Sequence, residues 1–251
     1  FSTTATSCAG LSDGSATAIV SNGTSPYNYQ WNTVPVQTGA TATGLAAGSY
    51  TVIVTDAFNA TATANVTVNA GPVNVTPSVS ISANPGNTIC SGTSVTFTAV
   101  PTNGGTSPTY QWKLNGANVG TNSATYTNAA LANGNVITCV LTSNANCASP
   151  TTATSNAISM TVNSTVIPSV NISANPGNTI CSGTSVTFTA VPTNGGTSPS
   201  YQWKLNGVNV GTNSSTYTNA ALINGAIITC VITSNANCAS PTTATSNAIS
   251  M

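Results

Sequence analysis

The side chains in this sequence with the most distinctive chemistry are seven cysteines and four charged groups. The cysteines are Cys8, Cys90, Cys139, Cys147, Cys181, Cys230 and Cys238; the charges are Asp13, Asp56, Lys113 and Lys204. General acid–base catalysis needs a group titrating near the working pH, and there is no His, Glu or Arg. A Ser or Thr nucleophile needs a neighbouring base, which these scattered charges do not supply. The expectation is no enzyme and no cofactor. Zinc wants clustered Cys and His, and no two cysteines form a C-x-x-C pair. Calcium wants several carboxylates, and the chain has two. Nucleic acid is not an expected partner, because phosphate affinity rests on Lys and Arg. A Lys–Asn isopeptide cross-link needs a buried carboxylate, and residues 77–251 contain neither Asp nor Glu. Disulfide formation remains for the thiols.

The elements that would position those cysteines are set by an internal repeat. A shift of 91 residues lays Pro77 on Pro168, and 84 positions then align to Met251. They differ only at Ser80/Asn171, Thr109/Ser200, Ala117/Val208, Ala124/Ser215, Ala132/Ile223, Asn135/Ala226, Val136/Ile227 and Leu141/Ile232. The first 70 or so residues form a different, shorter unit. Three domains are expected: 1–71, 77–163 and 168–251, the last with its final strand cut short. The linkers carry Pro72, Pro77 and Pro168 and are short, which predicts semi-rigid joints. Met251 matches Met160, after which the first copy runs on through Thr161 and Val162 as one strand. The expectation is that the natural protein continues past Met251 with Thr-Val and another domain.

Period-two alternation predicts strands throughout and no helix. Val95, Phe97 and Ala99 alternate with Thr96 and Thr98; Tyr110, Trp112 and Leu114 with Gln111 and Lys113; Ile137, Cys139 and Leu141 with Thr138 and Val140. Asn103-Gly104-Gly105, Asn115-Gly116 and Asn133-Gly134 are turn signals between these runs. Trp31, Trp112 and Trp203 sit on the inward parity of their strands and are expected to fill the cores. No apolar run approaches the roughly 18 residues of a membrane span. The fold class is all-β: tandem immunoglobulin-like β-sandwiches in a linear array.

The 77–167 segment resembles an immunoglobulin-like (PKD/Ig-like) domain common in secreted Bacteroidota proteins. Cys90-Ser91-Gly92-Thr93-Ser94-Val95-Thr96-Phe97, Tyr110-Gln111-Trp112-Lys113-Leu114-Asn115-Gly116 and Val136-Ile137-Thr138-Cys139 carry the likeness. Trp112 looks like the buried tryptophan of strand C and Cys139 like the strand F cysteine. Ala99 stands where the strand B cysteine belongs, so Cys139 and Cys230 are expected to be free core thiols.

The first unit resembles the SprB repeat of giant Bacteroidota gliding adhesins. The matching runs are Ser7-Cys8-Ala9-Gly10, Asp13-Gly14-Ser15-Ala16, Pro26 to Asn32, Leu45 to Val52, and Val54-Thr55-Asp56-Ala57. The family commonly has a second cysteine after the Asp-Ala step, which is missing at Phe58-Asn59-Ala60. The resemblance implies export by the type IX route, an extracellular, cell-surface location and, through the gliding adhesins, gliding motility.

The immunoglobulin-like resemblance also implies a cysteine pairing. In that arrangement strands B and F run the same way, so Cys90 and Cys147 lie at opposite ends of one domain. At about 3.3 Å per residue that gap is tens of ångströms, and a disulfide needs Cα atoms within about 7 Å. A head-to-tail stack instead pairs Cys8 with Cys147 and Cys90 with Cys238, leaving Cys181 for a domain beyond. The alternative is an intradomain Cys90–Cys147 bond.

The function expected from these readings is a stalk or filament segment of a secreted repeat protein, an adhesin or extracellular fibre. Its partners would be neighbouring domains of a longer chain and other copies in a fibre. The rival is a polyvalent lectin-like or ice-binding module with a glycan or surface ligand. The identical loops Asn103–Pro108 and Asn194–Pro199 suit a spacer, though a polyvalent binder would share them.

Overall fold

A computed structural model describes residues 1–251, and every regular element in it is a strand. The chain forms two compact units. Phe1–Asn84, Thr96–Thr127 and Val136–Ile158 make the first; Pro85–Val95, Asn128–Asn135 and Ser159–Met251 make the second.

The first unit begins with β1 (Ser2–Thr4), β2 (Gly14–Thr17), β3 (Asn28–Trp31), β4 (Thr41–Leu45), β5 (Gly48–Thr55) and β6 (Thr61–Val68). They form two antiparallel sheets, in the orders β1-β2-β4 and β3-β5-β6. Ala16, Trp31, Ala42, Leu45, Val52 and Val68 fill the space between the sheets. Trp31 is fully buried, and its indole N–H donates to the Gly39 carbonyl at 2.9 Å, so its one polar atom is satisfied.

The following strands are β7 (Ser78–Asn84), β8 (Thr88–Cys90), β9 (Val95–Thr102), β10 (Thr109–Leu114), β11 (Ala117–Val119), β12 (Thr125–Asn128), β13 (Val136–Thr142), β14 (Thr152–Thr154), β15 (Ile158–Ser159) and β16 (Thr161–Asn163). One sheet runs β12-β9-β7 and the other β11-β10-β13-β14, the strand order of an immunoglobulin-like sandwich. Trp112 faces Cys139 across the β10–β13 ladder. Phe97, Trp112, Ile137, Cys139 and Leu141 are buried, following the alternation of the sequence. Trp112 donates its indole N–H to Ser123 at 2.8 Å and stacks on Tyr126 with ring centroids 5.9 Å apart. Asn103 and Asn115 adopt φ of +52° and +51°, the left-handed turn geometry their Asn-Gly steps signal.

The second unit repeats this pattern. Besides β8 and β16, which fall in this unit, its strands are β17 (Ser169–Asn175), β18 (Val186–Thr193), β19 (Ser200–Leu205), β20 (Val208–Val210), β21 (Thr216–Asn219), β22 (Ile227–Thr233), β23 (Thr243–Thr245) and β24 (Ile249–Ser250). Their sheets run β17-β18-β21 and β20-β19-β22-β23, with β24 also on β22. Val170, Ile172, Val186, Phe188, Trp203, Ile228, Cys230 and Ile232 are the heart of this core. The fold is therefore all-β, with immunoglobulin-like sandwiches in tandem.

One expectation is corrected. The run from Ile158 through Val162 is two strands, not one. Met160 interrupts it: its side chain is buried, its N–H donates to Asn135 and its carbonyl accepts from Gly134, each at 2.8 Å. These turn bonds tie up the Met160 backbone. Beyond it, β16 pairs in parallel with β8, Val162 opposite Ile89.

Candidate functional site

Four of the seven cysteines form two disulfides, Cys8–Cys147 and Cys90–Cys238, with Cα separations of 5.6 and 5.4 Å. They close stretches 139 and 148 residues long. Cys90 lies within the first closed stretch and Cys147 within the second, so the two loops overlap along the chain.

In the first unit, the loop after β1 presents Cys8. Thr6 is buried; its N–H donates to Asn69 at 3.1 Å and its hydroxyl accepts from the Gly71 N–H at 2.8 Å. Ala9 donates to Pro72 at 2.8 Å, so residues 69–72 lace this loop in place. A Cβ at Gly71 would strike the Thr6 carbonyl, which is why only Gly fits there. Asp13 accepts from the Ser7 N–H at 2.9 Å and from the Ser7 hydroxyl, holding the residue next to Cys8. Those bonds favour the carboxylate and keep Asp13 below its usual titration range.

Cys147 approaches from the loop after β13. Ser143 donates its hydroxyl to Asn103 at 2.7 Å, and Asn144 accepts from the Ser107 N–H at 3.0 Å. A parallel bridge joins Val75 to Ala148; Val75 donates to the Cys147 carbonyl at 3.0 Å, and Ser149 donates to Val75 at 2.9 Å. Cys147 has φ of +61°, a left-handed conformation costing a residue with Cβ roughly 1–2 kcal/mol. The disulfide and the surrounding bonds hold it there.

The second unit builds the same joint. Cys238 has φ of +61°, Val166 bridges Ala239, and Val166 donates to the Cys238 carbonyl at 3.0 Å. Ser234 and Asn235 repeat the roles of Ser143 and Asn144. Cys90 is presented at the end of β8, where Ser91 donates to Asn163 at 2.9 Å. The sequence names Asp13 only as one of four charges and as part of the SprB-like run, and it does not single out Ser143 or Asn144. The signal for the last two was present in the Ser-Asn-Ala-Asn-Cys run that both copies keep.

The remaining thiols are free: Cys139 and Cys230 are buried and Cys181 is exposed. Iodoacetamide should therefore modify Cys181 alone in the folded chain, and all three thiols after unfolding without reductant. Intact mass after each treatment checks this; early labelling of Cys139 or Cys230 would contradict it. Burial pushes the Cys139 and Cys230 thiols up to about 11, only partly offset by the Gln111 and Gln202 backbones. Unfolded thiols ionise near 9.0. Unfolding thus releases protons between those values, and stability is lost as pH rises from 9 towards 11.

Asp56 accepts backbone N–H groups from Ala60, Thr24 and Phe58, and like Asp13 it sits below the usual carboxylate value of 3.8. The stability these two contribute is present above that value and is lost as pH falls through their folded values. The urea midpoint should be flat from about pH 5 to 8 and fall on both flanks. Denaturation followed by Trp fluorescence from pH 2 to 11 tests it; a midpoint that moves inside the flat range would refute the assignment.

An open cleft of about 370 Å³ in the first unit is lined by Phe1, Ile19, Tyr27, Val54, Asp56 and Ala62, among others. The Asp56 oxygens there are engaged by Thr24, Phe58 and Ala60 backbone N–H groups, so the carboxylate braces the loops. No group of three or more Cys, Asp or Glu side chains gathers to hold a metal ion, and no helix is long and apolar enough to cross a membrane.

Residues 1–36 match the family model for the SprB repeat. The match stops before the Leu45–Val52 and Val54–Ala57 runs. No curated protein matches the chain. Among solved structures, the three N-terminal domains of the Highly Immunogenic Outer Capsid protein (Hoc) of bacteriophage RB49 are similar over 98% of this chain and 95% of that one. The identity is 17% and the TM-score 0.40. The N-terminal eight Ig domains of Down Syndrome Cell Adhesion Molecule (DSCAM) isoform 1.30.30 are similar over 88% of this chain and 36% of that one, at 15% identity and a TM-score of 0.30.

Proposed function

We propose that this chain is a non-catalytic stalk segment of a secreted, cell-surface repeat protein, in which disulfide staples resist extension. The observation that carries the reading is the overlap of the Cys8–Cys147 and Cys90–Cys238 loops. A disulfide inside one small domain guards that domain alone. Overlapping disulfides make a covalent ladder, so tension along the chain is always shared with a cross-link. The modules are 1–71, 77–163 and 168–251, each staple joining one to the next. The surface suits such a role, because a chain with two Lys and two Asp has little for salt to screen.

The SprB match over residues 1–36 supports a surface repeat protein. Membership of a Bacteroidota adhesin, type IX export and a part in gliding go with that reading. A glycan array probed with the full chain tests spacer against binder. No saturable binding is expected; saturable binding at micromolar concentration or below would overturn the spacer in favour of a polyvalent lectin-like module.

A further inference from the structure

Asn156 in the first unit holds both polar groups of one backbone residue. The Ile81 N–H donates to the Asn156 side-chain oxygen at 2.8 Å, and the Asn156 side-chain amide donates to the Ile81 carbonyl at 3.1 Å. In the second unit Ile172 and Asn247 repeat the pair at the same two distances. The preceding serine fixes each amide in place. The Ser155 hydroxyl accepts from the Cys139 N–H at 2.9 Å and donates to the Asn156 carbonyl at 2.7 Å; Ser246 does the same with Cys230 and Asn247. An Asn side chain carries the same carbonyl acceptor and N–H donor as a peptide group. It therefore gives Ile81 what a partner residue's backbone gives in a hydrogen-bonded pair of an antiparallel ladder.

Ile81 lies mid-strand in β7 and Ile172 mid-strand in β17, and each of these strands ends its sheet, beside β9 and β18 respectively. Hydrogen-bonded and non-bonded pairs alternate along an antiparallel ladder, so Val79 and Ala83 turn their backbone groups to the same outer side as Ile81. Pro101, opposite Val79, has no N–H to give and fits that alternation. Such an edge is a template for another strand, and proteins commonly blunt it with Lys, Pro or a bulge. Neither the Ser-Val-Ser-Ile-Ser-Ala-Asn of β7 nor the Ser-Val-Asn-Ile-Ser-Ala-Asn of β17 contains Lys or Pro, and both strands keep an unbroken register. Asn156 and Asn247 are exposed, so the edges they sit on face solvent.

We infer that the outer edges of β7 and β17 are strand-pairing surfaces for a second copy of this chain, which Asn156 and Asn247 hold closed. The partner follows from the pattern of the strand itself. An antiparallel pair of β7 strands centred on Ile81 sets Ile81 against Ile81, Val79 against Ala83 and Ser80 against Ser82. Apolar side chains then meet on one face and hydroxyls on the other. The centre of that pair uses the same Ile81 N–H and carbonyl that Asn156 occupies. Neither strand carries a charge to repel the second copy, so the side-chain amide is the barrier. The inference does not rest on the stalk reading.

Asn156→Ala in the whole chain tests it, in a Cys181→Ser background that prevents disulfide-linked dimers. The parent should sediment as a single chain. The variant's mass should rise towards twofold as its concentration is raised through the micromolar range, with Trp emission still buried. Its Ile81 amide should exchange at least about tenfold faster than the parent's when dilute, and slow again as copies pair. Adding Ser80→Lys and Ser82→Lys sets like charges opposite each other across the pair. That form should return to a single chain while Ile81 exchange stays fast. Asn247→Ala, with Asn171→Lys and Ser173→Lys as its charged form, repeats the test in the second unit. Alanine variants that remain single chains would overturn the inference. So would association that survives the lysines, or that comes only with loss of the buried Trp emission. None of these readouts depends on tension or glycan binding, so failure here is distinct from failure of the stalk.

Discussion

Trp203→Ala should lower the stability of its sandwich by about 3–5 kcal/mol. Trp203 is fully buried, packs against Phe188 and Tyr217 with ring centroids 6.3 and 5.9 Å away, and donates its indole N–H to Ser214 at 2.9 Å. Truncation opens a cavity between the sheets and leaves the Ser214 carbonyl without that donor. Small domains hold only about 5–15 kcal/mol in total. With a urea slope of about 1–3 kcal/mol/M, the midpoint should fall by roughly 2 M. Trp112 should keep its buried emission in that variant, and Trp112→Ala should do the converse. A midpoint within about 0.3 M of the parent, or loss of both signals together, would refute the independent-core reading.

The staples should dominate how far the chain can be drawn out. Fifty-seven residues separate Cys90 from Cys147, against 230 between Cys8 and Cys238. In the oxidised chain the shortest covalent route from Cys8 to Cys238 crosses to Cys147, follows the chain back to Cys90 and crosses again. Even with every strand unfolded, that stretch should reach only about 200 Å, against about 800 Å after reduction, at roughly 3.4 Å per residue. Replacing Cys90 and Cys238 by Ser together leaves 91 residues between Cys147 and position 238. That form should stop at about 310 Å. Optical-tweezer extension with handles at the two ends reads all three lengths. Equal extension with and without reductant would remove the basis for the proposed stalk.

The shared sandwich of the two repeats was legible because 84 aligned positions differ at only eight, all mild. The buried faces of β9, β10 and β13 were legible too. A strand's side chains alternate with period two, so Phe97, Trp112 and Cys139 could point only one way once their neighbours were polar. Asn103 and Asn115 announced their turns because Asn tolerates the left-handed conformation.

Met160 did not announce its break. Nothing in the Ile-Ser-Met-Thr-Val run distinguishes one long strand from two, since both bury alternate residues. The choice was made by Asn135 and Gly134, distant in sequence, which capture the Met160 backbone and send Thr161–Asn163 to another edge. The joints are a different case: the immunoglobulin-like resemblance implied a pairing of the cysteines, but no local pattern did. The cysteines and their number are written in the sequence, but a disulfide is decided by Cα atoms coming within about 7 Å. That distance depends on Asp13 holding Ser7, on Gly71 letting the linker pass close to Thr6, and on Asn144 pinning the loop before Cys147. Local pattern determined which residues form strands and which are buried. Only the tertiary structure decided which ends meet, because those contacts join groups far apart in sequence, beyond the reach of any local periodicity.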